Sequence, residues 1–292
     1  MFAIAGITGR VGGAAARALL ARGHGVRGVV RDRAKGAAWM ARGAEVVRAD
    51  FTDAAALRAA FTGVEGAFVM IPPYFDPQPG FPEARVIGAA LRKALEAAAP
   101  PKVVCLSSVG AQHAAGLGLI TQLFLFEREM RRLPVPCAFL RAAWFMENAF
   151  ADIDAVRATG VMPSFLSPLD AAIPMVATAD VGAVAADVLT QQWDGLRTIE
   201  IEGPRAYAPN DVAAVFADLL QRRVRAEAVA HNTWATRFRR QGHTNPTPRI
   251  RMLEGFNSGW IAFQEHPPER VSGTTALEAA LRPVIDGSGD AA

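Results

Sequence analysis

Short apolar runs alternate, over the first half of the chain, with segments in which Ala and Leu recur at helical spacing. Residues 2–5, Phe-Ala-Ile-Ala, run straight into Gly6, and residues 11–22 then carry apolar side chains along one helical face. That is the pattern of a strand, a tight turn and a helix. It recurs, with β-rich runs at 26–30, 45–48, 66–71, 102–106 and 135–140 and helical segments at 37–42, 53–61, 83–99 and 120–133. Several runs are apolar throughout, which marks strands covered on both faces. The predicted fold class is α/β, a Rossmann-type doubly wound parallel sheet.

After Asn148 the alternation loosens. A Pro-rich stretch at 162–174 precedes separate helical segments at 181–191 and 210–222, and a β-rich run at 198–201 is placed to return to the main sheet. The expected organisation is a dinucleotide-binding domain over 1–148 and a smaller mixed α/β subdomain over 149–292, covering the carboxyl edge of the sheet where open α/β folds hold ligands. Residues 287–292 read as a frayed tail.

Composition narrows the picture. With 292 residues and 51% apolar content the chain buries a full core. Its 31 basic and 28 acidic residues are interspersed, so the net charge of +3 forms no basic face, and nucleic acid is not expected as a partner. The two cysteines, Cys105 and Cys137, lie inside apolar runs without metal-ligand spacing and read as reduced core residues of a cytoplasmic protein. No apolar stretch approaches the roughly 18 residues of a membrane span, and the N-terminus has no basic leader, so neither membrane insertion nor export is expected.

Gly6-Ile7-Thr8-Gly9-Arg10-Val11-Gly12 places three glycines between the first strand and the first helix. Gly6 suits the tight turn, Gly9 the close approach of a diphosphate, and Gly12 the packing of helix on sheet; Thr8, Arg10 and Val11 flank the bound group. The exposed N–H groups and dipole of the helix start favour an anion there. At the end of the second strand stand Arg31, Arg33 and Lys35, with Asp32 between them. A guanidinium matches a ribose 2′-phosphate with parallel charge-assisted bonds, so NADP(H) is preferred over NAD(H), with Arg31 as first choice. Asp50 and Phe51 end the third strand, where a carboxylate can accept from the adenine amino group and a ring can line its pocket. Capping of the next helix falls to Thr52 or Asp53, leaving Asp50 free.

These residues, the Val-Val-Arg-Asp segment at 29–32, the Ser107-Ser108 pair and Leu-Arg-Ala-Ala-Trp-Phe-Met-Glu-Asn at 140–148 resemble the NmrA-like branch of the atypical short-chain dehydrogenase/reductase family. The resemblance extends over nearly the whole chain, through Gly203-Pro204 and the segment from Asn210. It implies a Rossmann domain with an interdomain cleft, NADP(H) binding, and membership among either reductases of quinones and related acceptors or redox-sensing regulators without turnover. It further implies that Met70, Ile71, Pro72, Ser107, Ala142, Trp144 and Phe145 surround the nicotinamide.

Departures from the family pattern bear on mechanism. The tyrosines Tyr74 and Tyr207 are followed four residues on by Gln78 and Asp211, and the lysines are Lys35, Lys93 and Lys102 alone, so the Tyr-x-x-x-Lys proton relay is absent. Glu127 matches a glutamate that many members keep, but Leu123 stands where they carry a lysine, and Ala142 replaces their proline. Ser107, His113 and Tyr74 remain as weak catalytic candidates, each with an ordinary structural role as the competing reading. Tyr74, His113, Phe145, Met146, Asn148 and Phe165 are the candidate substrate pocket, with Trp144 and Phe150 extending a flat apolar wall suited to a quinone, although such clusters are commonly core. The leading expectation is an NADPH-dependent reductase that passes hydride directly to a quinone-like or other conjugated acceptor. The alternative is a non-catalytic NADP(H)-binding sensor acting through a protein partner. Monomer and homodimer are both open.

Overall fold

The computed structural model describes residues 1–267 and 269–287. From the tail read at 287–292, everything after Gly287 lies outside the described residues. The first half runs β1 (Phe2–Ala5), α1 (Arg10–Ala21), β2 (Val26–Val30), α2 (Ala37–Met40), β3 (Glu45–Arg48), α3 (Ala54–Phe61), β4 (Gly66–Val69), α4 (Pro82–Ala98), β5 (Val103–Ser108), α5 (Thr121–Met130) and β6 (Cys137–Ala142). The second half continues with β7 (Trp144–Phe145), α6 (Ile153–Thr159), β8 (Val161–Ser164), β9 (Ile173–Val176), α7 (Thr178–Thr190), β10 (Leu196–Glu202) and β11 (Ala206–Tyr207). It ends with α8 (Pro209–Leu220), β12 (Arg225–Ala228), α9 (Trp234–Arg240), α10 (Thr247–Asn257), β13 (Arg270–Ser272) and α11 (Leu277–Ile285).

Eight strands form one parallel sheet in the order β13-β10-β6-β5-β4-β1-β2-β3. The order reverses between β1 and β4, the switch point at which a doubly wound sheet opens a crevice for ligand. The run read at 198–201 is the centre of β10, which pairs with β6, and α7 packs on α1 beneath the sheet. Close approach of those two helices depends on Gly182, where a Cβ would stand 2.4 Å from Ala14 Cβ.

One core layer joins α1 and α7 to the sheet through Leu19, Val181, Ala185 and Ile199; the opposite layer joins α3, α4 and α5 through Leu57, Leu91 and Phe126. Both faces of the central strands are thereby covered, which is why β1 and β4 are apolar throughout instead of alternating, and β6 is apolar up to Arg141. Cys105 and Cys137 are free thiols in this interior with their sulfurs 3.6 Å apart, and burial raises the Cys105 pKa. The remaining strands make a three-stranded sheet β11-β9-β7 and the pair β12-β8. With α8 to α11 they build a cap over the carboxyl edge around Phe216, Trp234 and Phe238. Among the described residues no helix is long and apolar enough to cross a membrane, and no group of three or more His, Cys, Asp or Glu could hold a metal.

Candidate functional site

The turn from β1 into α1 is built around glycine. Gly6 adopts φ +73°, and its carbonyl accepts from Gly9 N–H at 2.9 Å, closing the turn. A Cβ on Gly12 would lie 2.4 Å from that same carbonyl oxygen, so only glycine lets α1 start so close to the strand. Gly9 precedes the helix with no side-chain cap, and no acid sits in the first turn. The turn is thus a cradle of uncapped N–H groups with Thr8, Gly9 and Arg10 exposed, which suits a diphosphate.

Beside it the ends of β2 and β3 carry a basic cluster. Arg31, Arg33 and Lys35 are exposed, the latter two on a 3-10 turn, Arg33–Gly36, that precedes the helix expected from residue 37. Asp32 accepts from Ala34 N–H at 2.9 Å and so caps that turn. Sequence reasoning missed Arg48. The β2–β3 register sets it against Val30, and its Nε donates to the Arg31 carbonyl at 3.2 Å. Asp50 is not free as expected: Oδ1 accepts from both the N–H and the hydroxyl of Thr52, at 2.9 and 2.6 Å, while Asp53 caps α3. Those two hydrogen bonds lower the Asp50 pKa, helped by Arg31 and Arg48. The Phe51 ring is buried with Leu57 and Phe61.

At the other end of the crevice, alternation along extended chain separates residues that the sequence placed together. Met70 meets the α1–α7 core layer and reaches Gly6, where a Cβ would stand 3.0 Å from its Sδ, whereas Ile71 is buried in the opposite layer; Pro72 is partly exposed after it. On β7, Phe145 packs toward the main sheet near the buried Ala142, while Trp144 points into the cap and meets the Phe256 ring edge-on at 5.0 Å. Met146 is 1% exposed and belongs to the cap core, so it does not line a pocket. Phe165 likewise lies with Trp234 and Phe238, 4.9 Å from the latter ring, instead of beside Phe145. Asn148 is exposed, and Phe150 lies beneath Arg10, 4.9 Å from its guanidinium.

Ser107 is not available to a substrate carbonyl. Its hydroxyl donates to Glu127 at 2.6 Å and is 4% exposed, because the ion pair of Glu127 with Arg141 occupies the end of β5 and β6. Leu123, at the position of the missing lysine, packs among apolar residues. His113 stacks on Trp260 at 4.3 Å, and the Tyr74 carbonyl accepts from Gln122. Within the Trp-Phe-Met-Glu-Asn run, Glu147 caps α7: its carboxylate accepts from Thr178 N–H at 2.9 Å and from the Thr178 hydroxyl, and burial raises its pKa.

Asp152, Arg249, His243 and Asp76 had no signal in the sequence. Asp152, at the end of the turn that follows β7, is pushed up to about 6 by burial against the opposing pull of Arg249. Arg249, in the first turn of α10, donates to His243 Nε2 at 3.1 Å, and burial lowers its pKa. Asp76 latches the loop after β4 to the cap, accepting from Thr244 and Asn245 N–H at 2.8 and 2.6 Å; these bonds lower its pKa.

Comparison with known proteins places this arrangement. The sequence pattern of the NmrA-like family matches residues 1–245. The chain belongs to the NmrA-like family. Its relatives include a (4-alkanoyl-5-oxo-2,5-dihydrofuran-3-yl)methyl phosphate reductase of Streptomyces griseus, 30% identical over 78% of this chain and 76% of that one. An NAD(P)H azoreductase of Xenophilus azovorans is 26% identical over 78% of this chain and 77% of its own. Among solved structures, an NADPH-dependent quinone oxidoreductase of Escherichia coli, crystallised with NADPH, superposes with TM-score 0.77 at 22% identity, covering 98% of this chain and 99% of that one. This NmrA-like chain therefore shares a whole fold with that enzyme, its cap included.

Proposed function

We propose that this NmrA-like protein is an NADPH-dependent reductase of planar conjugated acceptors such as quinones. The observation that carries the reading is the uncapped glycine turn at α1 with Arg31, Arg33, Lys35 and Arg48 gathered beside it, a cradle for a diphosphate next to a seat for a 2′-phosphate. Its relatives support it, since two of them are named as reductases and the third as an NADPH-dependent quinone oxidoreductase.

When bound, the dihydronicotinamide supplies a hydride, and a conjugated acceptor that takes it needs one further proton, available from water. The chain binds and orients. Backbone N–H groups from Arg10 to Gly12 would hold the diphosphate, the Arg31 cluster would hold the 2′-phosphate, and Met70, Ala142 and Phe145 would bound the ring. No tyrosine–lysine relay stands behind the acceptor, and Ser107 spends its hydroxyl on Glu127. That restricts the reaction to acceptors that need no strong acid at the protein, which favours quinones over simple ketones.

The test is NADPH oxidation with a panel of quinones, run beside calorimetric binding of NADPH, with Gly9→Glu as the non-binding control because its carboxylate would repel the diphosphate. Turnover that Gly9→Glu abolishes is the expected result. Tight NADPH binding with no turnover on any quinone would refute the reductase and leave the redox-sensor reading.

A further inference from the structure

Two segments leave the carboxyl edge of the sheet beside the nucleotide turn, residues 70–81 after β4 and residues 143–152 after β6. Arg249 meets both. Its guanidinium carbon lies 5.8 Å from the Phe75 ring centre on the first segment, and Asp152 at the end of the second is the carboxylate acting on its charge. A third neighbour, Phe238 of the cap, lies 4.5 Å beneath it. The arginine thus stands where the cap meets both segments. Its position relative to Phe75 is held by the Asp76 latch, which ties the loop to Thr244 and Asn245 just ahead of α10, and by Asn245 Nδ2 donating to the Pro77 carbonyl at 2.7 Å.

The charge on this guanidinium is only partly answered. An arginine has five N–H donors, and among the described residues one hydrogen bond uses them, to His243 Nε2. Because arginine only donates, that nitrogen accepts and the ring proton sits on Nδ1, a buried atom without a hydrogen-bond partner, 3.9 Å from Asp76 Oδ1. The rings of Phe75 and Phe238 engage the faces of a guanidinium, not its donor edge. Among the described residues no carboxylate comes within ion-pair distance of it, and Asp152, whose ionised form is itself disfavoured by burial, interacts only at longer range. Phe75 is 54% exposed and Tyr74 37%, two large side chains left uncovered on the loop after β4.

We propose that Arg249 anchors an anionic substituent, a carboxylate or sulfonate, on the aromatic acceptor, with the exposed Phe75 beside the acceptor's ring. This rests on the reductase reading for the ligand's role as acceptor. The anionic site itself stands on the guanidinium, its unspent donors and the exposed Phe75 ring beside it, and it selects among acceptors that share one ring system.

The test separates the two claims. Binding is measured first, by calorimetry on NADP⁺-saturated protein, with naphthalene sulfonate against neutral naphthol. Wild type is expected to hold the sulfonate about tenfold to hundredfold more tightly, a preference that weakens with salt. Arg249→Met should remove that preference while naphthol affinity stays within about twofold, and Arg249→Lys should restore part of it. Steady-state kinetics with naphthoquinone sulfonate and plain naphthoquinone should then show Arg249→Met raising KM for the sulfonate alone. Equal affinity of wild type for the two ligands overturns the proposal without need of any variant, and so does a loss in Arg249→Met that is the same for both. An Arg249-dependent sulfonate preference in a protein that reduces no quinone would leave the anchor standing and sink the reductase.

Discussion

Arg141, near the end of β6, grips Glu127 of α5 through two parallel hydrogen bonds of 2.9 and 2.8 Å, with both side chains at most 5% exposed. Ser107 and Arg131 complete the carboxylate's shell, at 2.6 and 2.9 Å. Glu127 is thus the acid that ties the helix before β6 to the ends of β5 and β6.

A buried bidentate pair is costly to break from one side, because the surviving charge is left in a place that disfavours it. Glu127→Ala should therefore lower unfolding free energy by about 3 to 5 kcal/mol, read by urea denaturation. Glu127→Gln, which keeps the shape and accepts from Ser107, should lose less. The double variant Glu127→Leu with Arg141→Met should recover much of the loss. A loss in the double variant equal to the sum of the single losses would mean that the pair is not coupled.

That pair also shows where sequence reading stops. The turn at Gly6 to Gly12 is legible because its chemistry is local: three glycines between a strand and a helix have few other uses. The parallel sheet is legible because doubly covered strands are apolar throughout. Ser107 reads as available because the acid that takes its hydroxyl lies on the next helix, and only the fold closes that distance. Arg48 escapes notice because register, not sequence neighbourhood, brings it to Arg31. Trp144 and Phe145 read as one wall, but on an extended strand consecutive side chains part to opposite faces. Asp152 and Arg249 lie on segments far apart in the chain, in a cap whose short strands and irregular turns carry weak periodicity.

Cofactor choice is tested at the end of β2. If Arg31 pairs with the 2′-phosphate, Arg31→Ala should weaken NADPH binding by about 1.5 to 3 kcal/mol, a tenfold to hundredfold loss, and leave NADH nearly unchanged. Arg48 stands within hydrogen-bond reach of the Arg31 backbone and is placed to take over part of the charge, so Arg31→Ala with Arg48→Ala should lose more than either alone. The measurement is the ratio of the two dissociation constants at fixed salt. Equal affinity of wild type for NADPH and NADH, or an equal loss of both in Arg31→Ala, would reduce the cluster to a solvated surface.

The final prediction concerns Asp152, whose pKa burial raises from the ordinary 3.8 to about 6, with Arg249 pulling the other way. A raised pKa means that the folded protein holds this proton more tightly than the unfolded chain does. Below the unfolded pKa of about 4 both states carry the proton and the group is neutral to stability. As pH climbs toward about 6 the unfolded chain releases the proton first, so the contribution of Asp152 to stability falls across that window and stays low above it. Replacement by asparagine removes the titration. Asp152→Asn should accordingly match wild type near pH 4 and exceed it by up to about 3 kcal/mol above pH 7, since each tenfold difference in proton affinity between the two states is worth about 1.4 kcal/mol. Arg249→Met takes away the cation that favours the carboxylate, so in that background the gain from Asp152→Asn should grow. Urea denaturation at the two pH values decides it: a stability difference that does not change with pH would show that Asp152 is already solvated and ionised in the fold.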